Sequence, residues 1–173
     1  METKKILNNE EVQKLLSAPD NARDKLLLAV LYETGCSVNE IASLKTADFS
    51  QGKLHIAGKR ERTVKISDTV SEELLKFVLG KARESPLFTG KQGELTTKRV
   101  RQIVHQYTKS ALGEEINPQA MRYTSFAHSL SKGMNAAAAG KNLGLEAQRT
   151  SQLYTAYSQP ILAPTYREFL RRM

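Results

Sequence analysis

Residues 31–49 read LYETGCSVNEIASLKTADF, and the breaks inside this stretch organise what lies on either side of it. The segment leading into it, Arg23 to Glu33, carries Leu26, Leu27, Leu28, Val30 and Leu31 in near-continuous order and predicts a buried helix. Thr34-Gly35 stops that helix. Ser37 stands three residues ahead of Glu40, the spacing of a capping box, and predicts a short second helix from Val38 to Leu44.

Upstream, Asn8 or Asn9 is placed to cap a helix whose first turn holds Glu10 and Glu11, with Val12, Leu15 and Leu16 as its apolar stripe. Residues 17–20 break it. Downstream the periodicity changes. Residues 53–56 and 63–66 alternate polar and apolar side chains, as two strands do, around a turn at Gly58-Lys59-Arg60-Glu61. Asp68 is read as the cap of a helix from about Val70 to Lys81. Residues 86–88 read as a brief extended stretch and 90–93 as a loop.

Four more helices follow. One runs from Thr96 or Thr97 to about Leu112, with Val100, Ile103, Val104 and Tyr107 inward and Lys98, Arg99, Arg101, Gln102 and Lys109 on its other faces. A second opens at Asn117-Pro118, where proline's missing N–H costs nothing, and ends near Lys132-Gly133. Two short ones span 135–143 and 146–154, parted by Gly144. The expected fold is mainly α with a small antiparallel β-hairpin, in one domain over 1–173.

The chain has 26 Lys and Arg against 18 Asp and Glu, a formal charge of +8, and a pI of about 9.6. Such a domain attracts polyanions, of which nucleic acid is the commonest. No apolar run approaches membrane-spanning length, the N-terminus has no signal-like core, and the single cysteine, Cys36, fits a reducing cytosol. His55, His105 and His128 lack ligand spacing, so no metal site is expected. With no histidine base in view, Ser37 makes a poor hydrolase nucleophile.

Three stretches in this order resemble the catalytic domain of tyrosine recombinases, the phage integrase family. Residues 31–49 are similar to its first active-site box. Residues 116–130 resemble the His-x-x-Arg box, and Leu143-Gly144 with TSQLY at 150–154 resembles the Leu-Gly-His and nucleophilic Tyr segments. EEVQKLL at 10–16, the Gly58-Lys59 turn and PLF at 86–88 match as well. The resemblance covers nearly the whole chain, and the ordered set is specific where each motif alone is weak.

The resemblance implies a tyrosine-recombinase-like fold and a reaction on duplex DNA. A tyrosine attacks a phosphodiester and forms a 3′-phosphotyrosine, two arginines hold the non-bridging oxygens, and a hairpin lysine protonates the leaving oxygen. Neither metal nor nucleotide cofactor is needed. On this match Tyr154 is the nucleophile, Arg122 the second-box arginine, Lys59 the hairpin lysine (with Arg60 or Arg62 as alternatives), and Glu40 the supporting acid. Three positions depart from the pattern: Ser37 replaces the first arginine, Gln119 the second-box histidine, and Leu145 the histidine after Leu-Gly. An arginine in phosphoryl transfer is worth roughly 10³–10⁵ in rate, so impaired or lost cleavage is expected. Arg23 or Arg60 is weighed as a substitute cation.

DNA binding is a separate matter, because it rests on many phosphate contacts. Lys98, Arg99 and Gln102 on one flank of their helix, Arg101 on another face, and Arg60 and Arg62 at the hairpin are the expected contacts. The expectation is thus a DNA-binding member of the family in a regulatory, accessory or repressor role. The alternatives are an active recombinase and a protein-interaction module that no longer touches DNA. Set against these, Tyr154 reads as an ordinary half-buried tyrosine, Arg122 as a partner of Glu114 or Glu115, and His128 as a hydrogen-bonded core residue. The family's N-terminal clamp domain is expected to be either missing or supplied elsewhere, and residues 159–173, with Leu162, Phe169 and Leu170, to dock on a neighbouring copy.

Overall fold

Seven of the helix starts carry a side chain that accepts from a backbone N–H left without a partner in the first turn. Asn8 closes a capping box with Glu11 and opens α1 (Asn9–Ser17); Asn21 caps α2 (Ala22–Thr34). Gly35, at φ 60° in the left-handed region, ends α2 and turns the chain into α3 (Val38–Ser43). The computed structural model describes residues 5–90 and 93–157. The expected tail contact at 159–173 lies outside them.

A three-stranded antiparallel sheet follows in the order β1 (Phe49–Ser50), β2 (Lys53–Ile56), β3 (Arg62–Lys65). The hairpin register pairs Leu54 with Val64 and Ile56 with Arg62. The sequence reading found β2 and β3 but not β1, whose two residues are too short to show a period. It also began β3 one residue late. Ser67, not Asp68, caps α4 (Asp68–Val78): its Oγ accepts from Val70, and it is itself fixed by Glu33, whose carboxylate accepts from the Ser67 N–H and hydroxyl. The stretch expected as a loop at 90–93 is bounded by a two-stranded pair, β4 (Thr89–Gly90) and β5 (Gly93–Glu94).

Helices α5 (Thr97–Leu112), α6 (Pro118–Ser131) and α7 (Ala136–Asn142) come next, and residues 147–157 form α8. The buried run of α2 packs against both α4 and α6, while α5 lies against α1 and α3. The resulting core joins α2, the inner face of the sheet, Leu87, Phe88 and α5. A second cluster of Tyr123, Phe126, Leu130, Ala139, Leu143, Leu153 and Tyr157 binds α7 and α8 to the far side of α6. Gly140 permits this close packing, since a Cβ there would overlap Oγ1, Cγ2 and Cβ of the buried Thr150. The fold is therefore mainly helical with a small antiparallel sheet, as expected.

Candidate active site and nucleic-acid interface

The site grows from the α2–α3 junction. Ser37 spends its polar groups on the cap: its Oγ accepts from the Glu40 N–H at 3.3 Å, and its N–H donates to Glu40 Oε2 at 2.7 Å. That box holds the Glu40 carboxylate facing inward. Arg62 meets it as a fork, Nη1 to Oε1 at 2.6 Å and Nη2 to Oε2 at 3.2 Å. Arg122 approaches Oε2 at 3.4 Å from the opposite helix.

Both guanidiniums are anchored further. Arg62 donates from Nε to the Asn142 carbonyl at 2.6 Å and from Nη1 to the Arg60 carbonyl at 3.2 Å. Arg122 donates to the Gly35 carbonyl at 2.6 Å and to that of Leu143. One carboxylate and two arginines thus lock together α3, β3, α6 and the end of α7. Gly144, at φ 66°, is the close approach this requires, because a Cβ on it would lie 2.7 Å from Arg62 Nη1.

The electrostatics follow from that geometry. Burial pushes the Glu40 carboxyl up, but hydrogen bonds and charge from Arg62, with the Ser37 backbone N–H, outweigh it and hold it at about 2. Burial lowers Arg122 from its ordinary value and Glu40 opposes this, so it stays a cation at neutral pH. Cys36, beside them, is pushed up to about 11 by burial. Its thiol is neutral and inert at pH 7.

Around this lock lie two clefts. The first, of about 420 Å³, is lined by Ser37, Arg101, Gln119, Arg122, Leu145 and Arg149, among others. The second, of about 690 Å³, is lined by Lys59, Arg60, Lys141, Leu145, Glu146 and Tyr154, among others. Tyr154 is 40% exposed there, on the outer face of α8, whose inner face is Thr150, Leu153 and Tyr157. Leu145 stands in both walls. The expected nucleophile and hairpin lysine thus share one cleft, and the second-box arginine and its substituted neighbours share the other.

Several expectations change at this point. Arg62 is not a cation at the hairpin tip: its side chain is 5% exposed and committed to Glu40 and two carbonyls. Strand alternation is the reason, since Arg62 shares the inner face of β3 with Val64, and starting the strand one residue earlier reveals it. Arg23 is no substitute for the missing arginine, being paired with Asp24 at 2.7 Å and bonded to the Thr89 carbonyl. Arg122 pairs with Glu40, while Glu114 and Glu115 engage Lys5 and Lys109. Arg60 remains at the surface, reaching the Gly144 carbonyl at 2.7 Å and Glu146 at 2.5 Å.

Lys98, Arg99, Arg101 and Gln102 are all exposed on α5. Arg99 lies within 3.4 Å of Gln102, as neighbours three apart on one helix face do. His128 accepts or donates at Nδ1 with the Tyr32 hydroxyl at 2.8 Å, and burial lowers its pKa, which suits a core role. No group of three potential metal ligands forms among the described residues. None of their helices is long and apolar enough to cross a membrane.

One cleft residue escaped the sequence reading. Arg149 donates to the Tyr123 hydroxyl at 2.8 Å and to Gln152 at 3.0 Å. Its signal was the inward period of Thr150, Leu153 and Tyr157, which sets position 149 at the edge of the buried face.

The mainly helical fold with its small antiparallel sheets is that of solved tyrosine recombinase catalytic domains. The phage integrase family model matches residues 5–159, and the chain belongs to that family. It is 32% identical over 161 residues to tyrosine recombinase XerA of Pyrococcus horikoshii, covering 87% of this chain and 56% of the relative. It is 31% identical over 183 residues to tyrosine recombinase XerC of Syntrophus aciditrophicus, covering 93% and 59%. The chain thus spans little more than half the length of these relatives. Among solved structures, a XerA recombinase superposes with a TM-score of 0.86 at 21% identity, covering 98% of this chain and 64% of the other. XerH bound to a palindromic difH substrate, a post-cleavage complex, gives 0.79 at 24% identity, covering 95% and 53%.

Proposed function

We propose that this chain binds duplex DNA through α5 and the clefts beside it, as an accessory, regulatory or repressor member of its family whose strand cleavage is impaired or lost. The observation that carries the reading is Ser37: its hydroxyl and N–H are absorbed by the capping box with Glu40, so it offers no long cation to a phosphate. Removing a preorganised donor costs about 10²–10³ in rate, and Leu145 and Gln119 add losses in proton transfer. The binding surface is separate from these losses. It comprises Lys98, Arg99, Arg101 and Gln102 on α5, with Lys59 and Arg60 at the hairpin. XerH and lambda integrase, solved with DNA, are relatives in fold that support duplex DNA as the partner. A cytosolic setting and self-association on DNA belong to the same reading.

A second reading is favoured by Tyr154, which faces a cleft that also holds Lys59. In an active recombinase the Tyr154 oxygen bonds to phosphorus as the bond to the 5′ oxygen breaks. The Lys59 ammonium protonates that leaving oxygen as it departs, the phenol's proton passes to solvent and from there restores the ammonium, and the phosphotyrosine keeps the bond energy for rejoining. A nicked suicide duplex decides between the two. The impaired reading expects a salt-sensitive mobility shift with no covalent adduct. An adduct that Tyr154→Phe abolishes overturns it in favour of the active enzyme, and no shift at low ionic strength removes DNA binding altogether.

A further inference from the structure

Among the described residues, the cleft beside Ser37 is lined by three arginines from three elements, Arg101 of α5, Arg122 of α6 and Arg149 of α8, and by no carboxylate. The neighbouring cleft differs, since Glu61 and Glu146 stand among its basic residues. Glu40 touches the first cleft only through Arg122, and its single charge is shared with Arg62. The lock of one carboxylate and two guanidiniums is therefore a net cation, with two further arginines facing the same space. Ser37, Asn117 and Gln119 complete the polar lining.

Converging guanidiniums in a partly buried cleft select an oxyanion with several acceptors, because their planar donors match phosphate oxygens in pairs. Position 101 also explains why Arg101 stood apart from Lys98, Arg99 and Gln102 on the helix surface: it turns toward the cleft, and the other three do not line it.

We propose that Arg101 and Arg149, together with Arg122, form a seat for one DNA phosphodiester, α5 and α8 supplying the positive charge that position 37 lacks. The inference rests on the DNA-binding reading above. It goes beyond it in assigning the phosphate contact to two residues outside the motif positions.

The test uses the full chain with two probes, inorganic phosphate and a short duplex. Arginine Nε–Hε resonances, assigned through Arg101→Gln and Arg149→Gln, are followed as sodium phosphate replaces sodium chloride at constant ionic strength. Both resonances move along one binding curve, and each variant weakens phosphate binding about 10-fold, the scale of one charge-assisted hydrogen bond. Arg149→Lys keeps the charge and recovers part of the loss in phosphate affinity, whereas Arg149→Gln, which can also donate to the Tyr123 hydroxyl but carries no charge, does not. In the duplex arm each Gln variant lowers the slope of log K against log salt by about one.

Phosphate that leaves the two resonances in place, or binds both variants like the parent, overturns the seat even if the duplex still binds. A seat that responds to phosphate while both variants bind duplex like the parent overturns the phosphodiester assignment and leaves a free-oxyanion site. Normal phosphate titration in a chain that ignores duplex refutes the DNA-binding reading instead.

Discussion

Replacing Glu40 by glutamine removes one negative charge from the point where two guanidiniums converge. Arg62 is 5% exposed, Arg122 13% and Glu40 21%, so the vacated charge is not made good by water. Breaking a buried pair by removing one partner costs about 3–5 kcal/mol, because the other charge is left uncompensated. Here the lower end applies. Arg62 keeps the Asn142 and Arg60 carbonyls, Arg122 keeps those of Gly35 and Leu143, and glutamine still accepts from Ser37.

An independent figure comes from proton linkage. A carboxyl moved from an ordinary 4.5 to about 2 contributes up to about 3 kcal/mol, with partial exposure reducing it somewhat. The sign is that of a depressed acid: the contribution is complete above pH 4.5 and fades as pH falls toward 2. With a urea slope of about 2 kcal/mol per molar, Glu40→Gln lowers the unfolding midpoint by about 1.5 M at pH 7. The gap between parent and variant then closes as the solution is acidified. Urea titrations monitored by circular dichroism at several pH values measure both. A midpoint loss below about 0.5 M at neutral pH, or a gap independent of pH, refutes the lock as an energetic element. Combining the change with Arg62→Met costs less than the two single changes together, since the stranded cation is gone.

Gly140→Ala drives a methyl into Thr150 at the α7–α8 contact and lowers stability by about 1–3 kcal/mol, read as a fall in Tm, with Thr150→Ser giving partial relief. Glu146→Gln, by contrast, shifts stability by less than about 1 kcal/mol, because its pair with Arg60 is exposed at 72% and 39%; the same thermal melts check it. Arg99→Gln weakens duplex binding to the same extent across unrelated sequences and lowers the salt slope by about one, measured by fluorescence anisotropy between low and moderate salt.

Much of this protein is legible in the chain because its signals are local. The cap at Ser37, the run Leu26–Leu31, the stop at Gly35 and the proline opening α6 each act within one or two helical turns, so they hold before any tertiary contact forms. The ordered motifs around Glu40, Arg122 and Tyr154 likewise gave the family without a structure. Two-residue strands such as β1 were not legible, since a period cannot be read from two residues.

What only the tertiary structure decided is which charges meet. Arg62 and Arg122 reach Glu40 across 22 and 82 residues of chain; strand alternation turns Arg62 inward, but nothing local says that Glu40 is the acid it shares with Arg122. The same holds for Arg101 and Arg149, which come to one cleft because α3, α5, α6 and α8 all line it. Local sequence sets where helices begin and end; the pairing of distant ions depends on how those helices close together, where desolvation makes each unpaired charge costly.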